Sequence, residues 1–597
     1  MTKEIQESRI KAYELGLINL LGEGYLFEIP DYQRPFVWET KNFGQLFDDI
    51  NQAVSDNQKK YKHFDDYEPY FIGTMVMQTK DKGKYDVIDG QQRLISLAVL
   101  IAVMRDLVID SKKDNDLANI LQGMIYQKKN ENLGTKESVR IKLRDRETDF
   151  FQEYILNEQG TYRAVEKFLS KTNKSRQDRK KILESQQKII EAIDLFRAKF
   201  YKNNRLDDSL LINYARYTIR KLIVVFVKTD DLMSAFRLFN TLNARGVELT
   251  ASDMLRSVNL KNLEKKEDRK KYAELWENIE TEIGQEALES LIGFIRSIKL
   301  KRRERSKLED FQNIIFENDP SFKGKRFFDY LIFTKEAYVE KIILGEIVTE
   351  NTEEETYYYN LISIMRDYLD FNEWIAAIIA FAQKFADSEL FEFLKVLERR
   401  VFVDWIIGKS NEERFRFVYS ILDEIEKAKN ASEILNSPIF NSQIREVHTQ
   451  FVSRLDEVNF YKRNHYKVAK YTLLRLDMEK HDNTNTKKLY TGTITTEHIL
   501  PKKPTNIYWT DRFTPKQQEE WTDKLGNLTL LNAPKNTQAG NKPFPDKLKQ
   551  YFKKKSDFLI TNELENYKEW NINFLKKRQE SLKDECCKIW IDPALYI

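Results

Sequence analysis

The residues with the clearest catalytic potential lie close together in the last fifth of the chain. Glu497 and His498 stand near the end of a β-prone run, residues 493–499, and Asn536 follows a second such run, residues 527–531. Carboxylate and amide oxygens suit a hard cation such as Mg²⁺. An imidazole beside such a cation can take a proton from a water molecule, which then attacks a phosphodiester. The order of these segments predicts a strand, a loop, a second strand and a helix that position a metal site.

The charge around these residues favours a ligand rich in phosphate. Residues 461–556 contain 20 Lys and Arg against 9 Asp and Glu, whereas the whole chain is nearly balanced, with 98 basic and 94 acidic residues. Binding to a phosphate backbone draws much of its free energy from the counterions that such cations release. A lysine-rich surface without any ligand would have the same composition, so the charge alone does not decide.

A second group of polar residues follows a predicted β-hairpin in the N-terminal part of the chain. Residues 70–78 and 85–88 have strand composition, and the turn between them is rich in Lys, Asp and Gly. The second strand leads into Asp-Gly-Gln-Gln-Arg at 89–93, and residues 94–107 then form an apolar run of helical length. This arrangement predicts a strand that turns directly into a buried helix.

The start of that helix has two explanations. Asp89 is expected to cap the helix and Gln92 to return the hydrogen bond, as in a capping box. This explanation leaves Gly90, Gln91 and Arg93 without a function. Because N–H groups at a helix N-terminus beside an arginine bind anions well, we also predict a phosphate-binding site here.

Three further N-terminal segments have distinct patterns. Residues 4–21 carry apolar side chains at helical spacing and predict an amphipathic helix. In residues 27–38 two prolines bar a helix and hold Gln33 and Arg34 on a rigid extended path, although a turn plugged by aromatic residues is the alternative. The composition of residues 222–227 predicts a buried strand.

The middle of the chain lacks recognisable motifs. Residues 260–460 predict long helices, such as 372–385 and 390–405, with few Gly or Pro. We interpret this region as a helical spacer, and the basic run 299–305 is the best candidate if the region contacts DNA instead. A closing helix is predicted at 570–590.

Length and composition bound the class of protein. A chain of 597 residues is too long for one core, so two to four domains are expected. It contains no apolar run of about 18 residues that could span a membrane, and its N-terminus lacks the pattern of a signal peptide. The two cysteines, Cys586 and Cys587, cannot build a disulfide framework and suit a reducing cytosol. We therefore expect a cytoplasmic protein.

Three N-terminal motifs resemble the ParB-like domain of GmrSD-type proteins, a type IV restriction class that includes phosphorothioate-sensing, SspE-like members. They are Ile-Pro-Asp-Tyr-Gln-Arg at 29–34, Ile-Asp-Gly-Gln-Gln-Arg-Leu at 88–94 and Phe-Asn-Thr-Leu-Asn-Ala-Arg-Gly at 239–246. In that family the domain binds and hydrolyses nucleoside triphosphates and is tied to the sensing of modified DNA. The chain has no Walker A loop, which excludes a P-loop mechanism. The resemblance implies a site for GTP or ATP formed by Asp89, Gly90, Gln91, Gln92 and Arg93, with Gln33, Arg34, Asn243 and Arg245 around it.

The C-terminal motifs resemble the HNH, or ββα-metal, nucleases, in the branch fused behind a ParB-like domain in GmrSD-type enzymes. They are Thr-Glu-His-Ile-Leu-Pro at 496–501 and the run 525–536, Leu-Gly-Asn-Leu-Thr-Leu-Leu-Asn-Ala-Pro-Lys-Asn. Many HNH nucleases carry Asp before the histidine, so the extra methylene of Glu leaves the metal geometry less defined than the base. The resemblance implies a general base, His498, metal ligands for Mg²⁺ or Mn²⁺, Glu497 and Asn536, and a residue that fixes the loop carrying His498, Asn527. The residues predicted to contact DNA are Asn541, Lys542, Lys535, Lys502 and Lys503.

The two resemblances together predict a single-chain restriction enzyme that acts in antiphage defence. A nucleotide-hydrolysing sensor domain would be coupled to a metal-dependent HNH endonuclease that cuts or nicks foreign or modified double-stranded DNA. The predicted fold is mainly α. It comprises an α+β ParB-like domain at 1–260, a helical region at 261–460, and a small ββα-metal domain at 461–597 that ends in the closing helix. A homodimer or other oligomer is compatible with this organisation.

Two other functions stay open from sequence. One is a nucleotide-dependent, DNA-binding regulator with an inactive nuclease, although the intact set of Glu497, His498, Asn527 and Asn536 argues against it. The other is a nuclease toxin that acts on the nucleic acid of its host, because an HNH motif does not choose among nucleic acids.

Overall fold

The computed structural model of the chain is mostly helical and divides into two compact units, Met1–Asn278 and Ile279–Ile597. The mainly α fold class is thereby confirmed, whereas the domain boundaries at 260 and 460 stay predictions. In the part of the chain that the structure describes, no helix is long and apolar enough to cross a membrane. The described residues are 10–22, 24–30, 33, 36–81, 83–127, 129, 137–170, 177–178, 182–231, 234–236, 238, 250–302, 306–441, 444–463, 466–482, 488–490, 493–551 and 557–591.

The first unit combines strands with helices. Its strands are β1 (Ile10–Gly16), β2 (Leu26–Glu28), β3 (Tyr70–Asp81), β4 (Lys84–Asp89), β5 (Tyr126–Gln127), β6 (Ser138–Val139), β7 (Ile141–Lys142), β8 (Tyr201–Lys202), β9 (Arg205–Leu206) and β10 (Leu222–Thr229). The helices up to the boundary are α1 (Leu17–Leu20), α2 (Thr40–Lys60), α3 (Gln91–Ser111), α4 (Asn115–Ile125), α5 (Asp145–Phe151), α6 (Gly160–Leu169), α7 (Glu184–Lys199), α8 (Asp208–Lys221), α9 (Ala251–Lys261) and α10 (Lys266–Ile283).

Six of these strands form one mixed sheet in the order β1-β10-β3-β4-β2-β7. The neighbours β3 and β4 pair antiparallel, which confirms the predicted hairpin. The predicted buried strand is confirmed as β10, which lies parallel to β3 and begins with the pair Leu222 and Tyr70. The sheet therefore holds β4 between strands on both sides, and the polar segment at 89–93 begins where β4 ends.

The helix that follows β4 is the centre of the first unit. Every residue of α3 from Leu94 to Val108 is buried. A helix that is apolar on all sides needs cover on all sides, and α3 receives it from α4, α7 and α8. This packing fixes the N-terminal end of α3 relative to the sheet.

The amphipathic helix predicted over 4–21 is wrong for residues 10–16. These residues form β1, which pairs antiparallel with β10 from Ile10 opposite Thr229 to Gly16 opposite Ile223. Only the short α1 is helical, and residues 1–9 lie outside the described residues. The open edge of β10 offers a full row of backbone hydrogen bonds, and this tertiary pairing outweighs the local helical periodicity.

The described residues of the second unit form mainly helices and one two-stranded sheet, β11 (Ile494–His498) with β12 (Leu528–Asn532). Its first helices are α11 (Gln285–Leu300), α12 (Lys307–Asp310), α13 (Phe316–Asn318), α14 (Lys325–Tyr338), α15 (Thr352–Tyr368), α16 (Trp374–Phe385), α17 (Leu390–Ile406), α18 (Asn411–Lys427), α19 (Ala431–Leu435), α20 (Pro438–Asn441) and α21 (Ile444–Leu455). The remaining helices are α22 (Lys467–Asp482), α23 (Ile507–Thr510), α24 (Pro515–Trp521), α25 (Ala533–Ala539), α26 (Phe544–Tyr551), α27 (Leu559–Asn562) and α28 (Ile572–Trp590).

The helices of the middle region share a core with the C-terminal helices. The buried carboxylate of Glu398 on α17 accepts hydrogen bonds from Tyr471 Oη at 2.7 Å and from Trp590 Nε1 at 3.0 Å. Phe402 stacks on the ring of Trp590, with 4.2 Å between ring centroids. The helices predicted near 372–385, 390–405 and 570–590 are confirmed as α16, α17 and α28. The middle region thus supports the C-terminal helices directly.

The basic run at 299–305 is engaged within the helical region where it is described. Lys299 Nζ lies over the ring of Tyr330, 4.0 Å from its centroid, and burial lowers the pKa of this lysine. Lys301 forms ion pairs with Asp423 and Glu426. Residues 303–305 lie outside the described residues. The role of the run 299–305 as a DNA contact stays a prediction.

Candidate functional site

Glu497 and His498 are the last two residues of β11. This strand pairs antiparallel with β12, so that Glu497 lies opposite Thr529 and His498 opposite Leu528. Helix α25 begins at Ala533, directly after β12. The structure therefore contains the predicted order of strand, loop, strand and helix.

Asn527 holds the turn that follows His498. Its side-chain Oδ1 accepts a hydrogen bond from the Leu500 amide at 2.7 Å, and its Nδ2 donates to the Leu500 carbonyl at 2.9 Å. The same Nδ2 donates to the Thr522 carbonyl at 2.8 Å, and the whole residue is buried. These contacts place Asn527 where a loop-fixing residue must be, and its contribution to catalysis stays a prediction.

A carboxylate orients the imidazole of His498. Asp523 Oδ1 lies 3.0 Å from His498 Nε2, and Lys462 Nζ lies 3.0 Å from the other oxygen, Oδ2. Burial would raise the pKa of Asp523, but the hydrogen bonds from His498 and Lys462 outweigh it and lower the pKa. Because an ionised carboxylate only accepts, the proton of the neutral ring lies on Nε2, and Nδ1 keeps the lone pair of a base.

The imidazole is in the protonation state that a general base needs. His498 is only 7 % exposed, and this burial lowers its pKa below the ordinary 6.5, more than Asp523 raises it. The imidazole and the ring of Tyr461 pack edge to face, with 4.4 Å between ring centroids. A neutral, oriented imidazole at pH 7 can accept a proton from water.

Glu497 lies in a buried ion pair. Its Oε1 accepts hydrogen bonds from Lys547 Nζ at 2.7 Å and from Tyr551 Oη at 3.1 Å. Lys547 Nζ also donates to the His498 carbonyl at 2.8 Å. Burial raises the pKa of Glu497 and lowers the pKa of Lys547, each against the attraction of the other. Both side chains tie α26 to the end of β11.

Asn536 lies on α25 against the same strand. Its Nδ2 donates to Thr495 Oγ1 at 2.9 Å and to the Thr496 carbonyl at 3.2 Å. These donations fix the amide, so the oxygen Oδ1 points away from the two acceptors. These two hydrogen bonds hold α25 against β11.

The donor set agrees in kind with a hard cation. Mg²⁺ takes oxygen ligands and is usually held by one or two carboxylates together with water and substrate phosphate. Among the residues that the structure describes, no group of three or more His, Cys, Asp or Glu could hold a metal ion. The assignment of Asn536 and Glu497 as metal ligands stays a prediction, and Lys547 already neutralises part of the Glu497 charge.

The predicted DNA contacts divide into two kinds. Lys502 and Lys503 are exposed, and so is Lys542. Asn541 instead holds a loop, because its Nδ2 donates to the Lys503 carbonyl and to Thr505 Oγ1, each at 2.7 Å. The side chain of Lys535 is outside what the structure describes.

Four functional neighbours were missed in the sequence: Asp523, Lys547, Tyr551 and Tyr461. The sequence indicated that Lys547 is buried, since it lies between Phe544 and Tyr551 at helical spacing and so falls on the apolar face of α26. Asp523 had no such signal, because it lies in a loop 25 residues from His498. The motifs pointed to His498 as the candidate base, and only the fold shows that Asp523 is its partner.

The N-terminal candidates meet where β4 becomes α3. Gly90 is the first residue outside the helix and has a φ of 92°, a conformation that favours glycine. A Cβ at this position would lie 2.8 Å from Met75 Cγ. Asp89 Oδ1 accepts a hydrogen bond from the Gly90 amide at 2.7 Å. The predicted capping box is therefore wrong, because the left-handed Gly90 places the Asp89 carboxylate one residue too early to reach the helix N–H groups.

The side chains of Gln92 and Gln33 bind backbone groups near this junction. Gln92 Oε1 accepts from the amides of Val37 and Trp38 at 2.9 and 3.1 Å. Gln33 Nε2 donates to the carbonyls of Val87 and Ile88 at 3.1 and 3.0 Å. The glutamines thus tie the proline-flanked segment to the end of β4. Gln91 is buried, while Arg34, Asn243 and Arg245 lie outside the described residues.

Arg93 reaches back from α3 to the sheet. Its Nη1 donates to the Ile72 carbonyl at 3.0 Å, and its Nη2 lies 3.8 Å from Asp89 Oδ2. Burial raises the pKa of Asp89 and lowers that of Arg93, against their mutual attraction. A partly buried carboxylate and guanidinium at the start of a helix can recognise the phosphates and the cation of a nucleotide.

We expect Gly73→Ala to displace Arg93. Gly73 has a φ of 110°, and a Cβ there would lie 2.0 Å from Arg93 Nη1. The variant should lose about 1–3 kcal/mol of stability from strain and steric overlap, measured by hydrogen exchange of β3 and β4. The matched control is Gly123→Ala on α4, where a Cβ meets nothing within 4 Å. Equal exchange in both variants would show that Arg93 has room to move.

The chain was compared with known protein families and with curated proteins. Residues 16–260 match the family model described as GmrSD restriction endonuclease, N-terminal domain, and residues 448–585 match the one described as GmrSD restriction endonucleases, C-terminal domain. Both matches are to restriction endonuclease domains, so the chain is a DNA endonuclease of the restriction type. It belongs to the GmrSD family, as the motifs indicated, and the two matches together cover more than half of its length. None of the curated proteins compared is significantly similar to it.

Proposed function

We propose that the chain is a cytoplasmic antiphage enzyme in which a ParB-like, nucleotide-hydrolysing sensor controls an HNH nuclease. The sensor would occupy residues 1–260, and the nuclease residues 461–597 would cut or nick foreign or modified double-stranded DNA. One observation carries the nuclease assignment: a strand, loop, strand and helix hold His498 against Asp523, with Asn527 fixing the turn between them. A homodimer or another oligomer is compatible with this proposal.

The residues of the nuclease site divide the work of hydrolysis. His498 Nδ1 takes a proton from the water that attacks the phosphorus, and Asp523 stabilises the imidazolium that results. Lys502, Lys503 and Lys542 bind neighbouring phosphates. A Mg²⁺ or Mn²⁺ ion, held by Asn536 and Glu497, would supply positive charge for the phosphorane and the leaving oxygen.

The residues of the sensor site suit a triphosphate. Arg93 brings a guanidinium to the start of α3, and the helix dipole adds partial positive charge there. Asp89 is the carboxylate that can hold the cation of a nucleotide. Support for this assignment comes from their proximity at one helix end and from the family of the chain.

We expect Asp89→Ala to abolish hydrolysis of ATP or GTP while the nuclease unit stays folded. The carboxylate is the acidic group at the centre of the proposed site, so Asp89→Asn should also lose most of the turnover. Asp81→Ala is the matched control, since Asp81 lies exposed at the end of the same hairpin. Phosphate release by each variant measures the effect. Turnover unchanged in Asp89→Ala would refute the assignment of this site.

A plasmid-cleavage assay tests the whole proposal. Wild-type protein is given Mg²⁺, with and without ATP or GTP, on unmodified and on modified DNA. Cleavage that requires Mg²⁺ and responds to nucleotide supports the coupled enzyme. DNA binding without cleavage under every condition would favour a regulator with an inactive nuclease. Cleavage of host RNA or host DNA without discrimination would favour a toxin.

A further inference from the structure

An aromatic cluster adjoins the proposed catalytic base. Tyr461 packs against the His498 ring and also against Tyr466, with 4.7 Å between the centroids of the two tyrosines. Lys502 Nζ lies 4.3 Å from the centroid of Tyr461 and 5.7 Å from that of Tyr466. An ammonium group therefore lies beside two aromatic rings, next to the imidazole.

Tyr466 is held in an unfavourable state for a tyrosine. It is 50 % exposed, and its φ of 69° lies in the left-handed region, which costs stability in any residue with a Cβ. It directly precedes α22, a position that Gly or Asn would occupy without this strain. Strained backbone retained at an active site is evidence for a function of the side chain.

The burial of His498 limits the directions from which a nucleotide can reach it, and this bears on what the exposed ring of Tyr466 contacts. Because the imidazole is only 7 % exposed, a phosphate reaches it only by approaching along the residues around it. Tyr461 and Lys502 are two of those residues, and Tyr466 is the exposed ring beyond them. A nucleotide with its phosphate at His498 and its base on Tyr466 would therefore pass Tyr461 and Lys502.

We propose that Tyr466, with Tyr461 and Lys502, forms a stacking platform for one unpaired nucleobase next to the cleaved phosphate. The exposed ring of Tyr466 would stack on the base, and Lys502 would contact the phosphate of the same nucleotide. The proposal rests on the proposed nuclease function. It predicts that the enzyme favours a cleavage position at which a base leaves the duplex stack easily, since unstacking costs least at a mismatch.

Binding and cleavage measurements test the platform separately from the nuclease function. The cleavage position is first mapped on a perfect duplex, and a second duplex then carries one mismatched pair at that position. In the His498→Ala background, which slows cleavage, and with chelator present, the protein should bind the mismatched duplex about tenfold more tightly. Tyr466→Gly should remove this preference, whereas Tyr466→Trp should retain it.

The choice of glycine separates stacking from stability. Glycine relieves the strain of the left-handed backbone, so Tyr466→Gly should melt no earlier than the parent protein. Equal affinity of the parent protein for both duplexes, or an unchanged preference in Tyr466→Gly, would overturn the platform. Cleavage by His498→Ala at more than about a tenth of the wild-type rate would instead overturn His498 as the general base, and the affinities measured with chelator present would still decide the platform.

Discussion

His498→Ala is expected to slow DNA cleavage by about 10²- to 10⁴-fold, the range that a general base contributes. This loss of rate follows from the site geometry, since His498 places an imidazole at the end of β11 and Asp523 fixes its tautomer. Its removal leaves the backbone pairing of β11 with β12 in place. The fold should therefore survive, and single-turnover cleavage of a plasmid measures the effect.

Two controls make the His498 result specific. His448→Ala alters an exposed histidine of α21 and should leave the rate unchanged. Because burial lowers the pKa of His498 below 6.5, the wild-type rate should fall only as the pH drops through that lowered value. A variant that keeps more than about a tenth of the wild-type rate would exclude the imidazole as general base.

Lys547→Met is expected to destabilise the β11–β12 element by about 3–5 kcal/mol, the usual effect of breaking a buried ion pair. The change leaves the Glu497 carboxylate buried with Tyr551 as its remaining side-chain donor among the described residues, and it removes the hydrogen bond to the His498 carbonyl. Hydrogen exchange of β11 and β12 measures this local stability, which a melting curve of a chain with several cores would not isolate.

Paired variants show whether the ion pair is the cause. Lys549→Met, on the same helix but 75 % exposed, should change the stability by no more than about 0.5 kcal/mol. The double variant Lys547→Met with Glu497→Leu should recover much of the loss, because neither charge then remains buried. If Lys547→Met alone exchanges like the wild type, the carboxylate must reach water, and it is then better placed to bind a metal.

The sequence by itself determined the family and the local elements. The hairpin of β3 and β4, the buried α3 and the order of β11, β12 and α25 all follow from short-range periodicity and turn residues. The motif residues His498 and Asn527 can be recognised from the sequence for the same reason, because each lies at a fixed offset from a strand. Interactions between near neighbours leave such patterns in the chain itself.

Only the tertiary structure decided which groups meet. Asp523 lies 25 residues from His498, and Lys547 lies 50 residues from Glu497, so no spacing rule predicts either pair. The strand at residues 10–16 depends on the edge of β10, more than 200 residues away, and this long-range pairing outweighs a local helical pattern. The packing of the core determines which groups pair with buried charges and with open strand edges. Desolvation makes every arrangement that leaves such a charge or edge unpaired unfavourable.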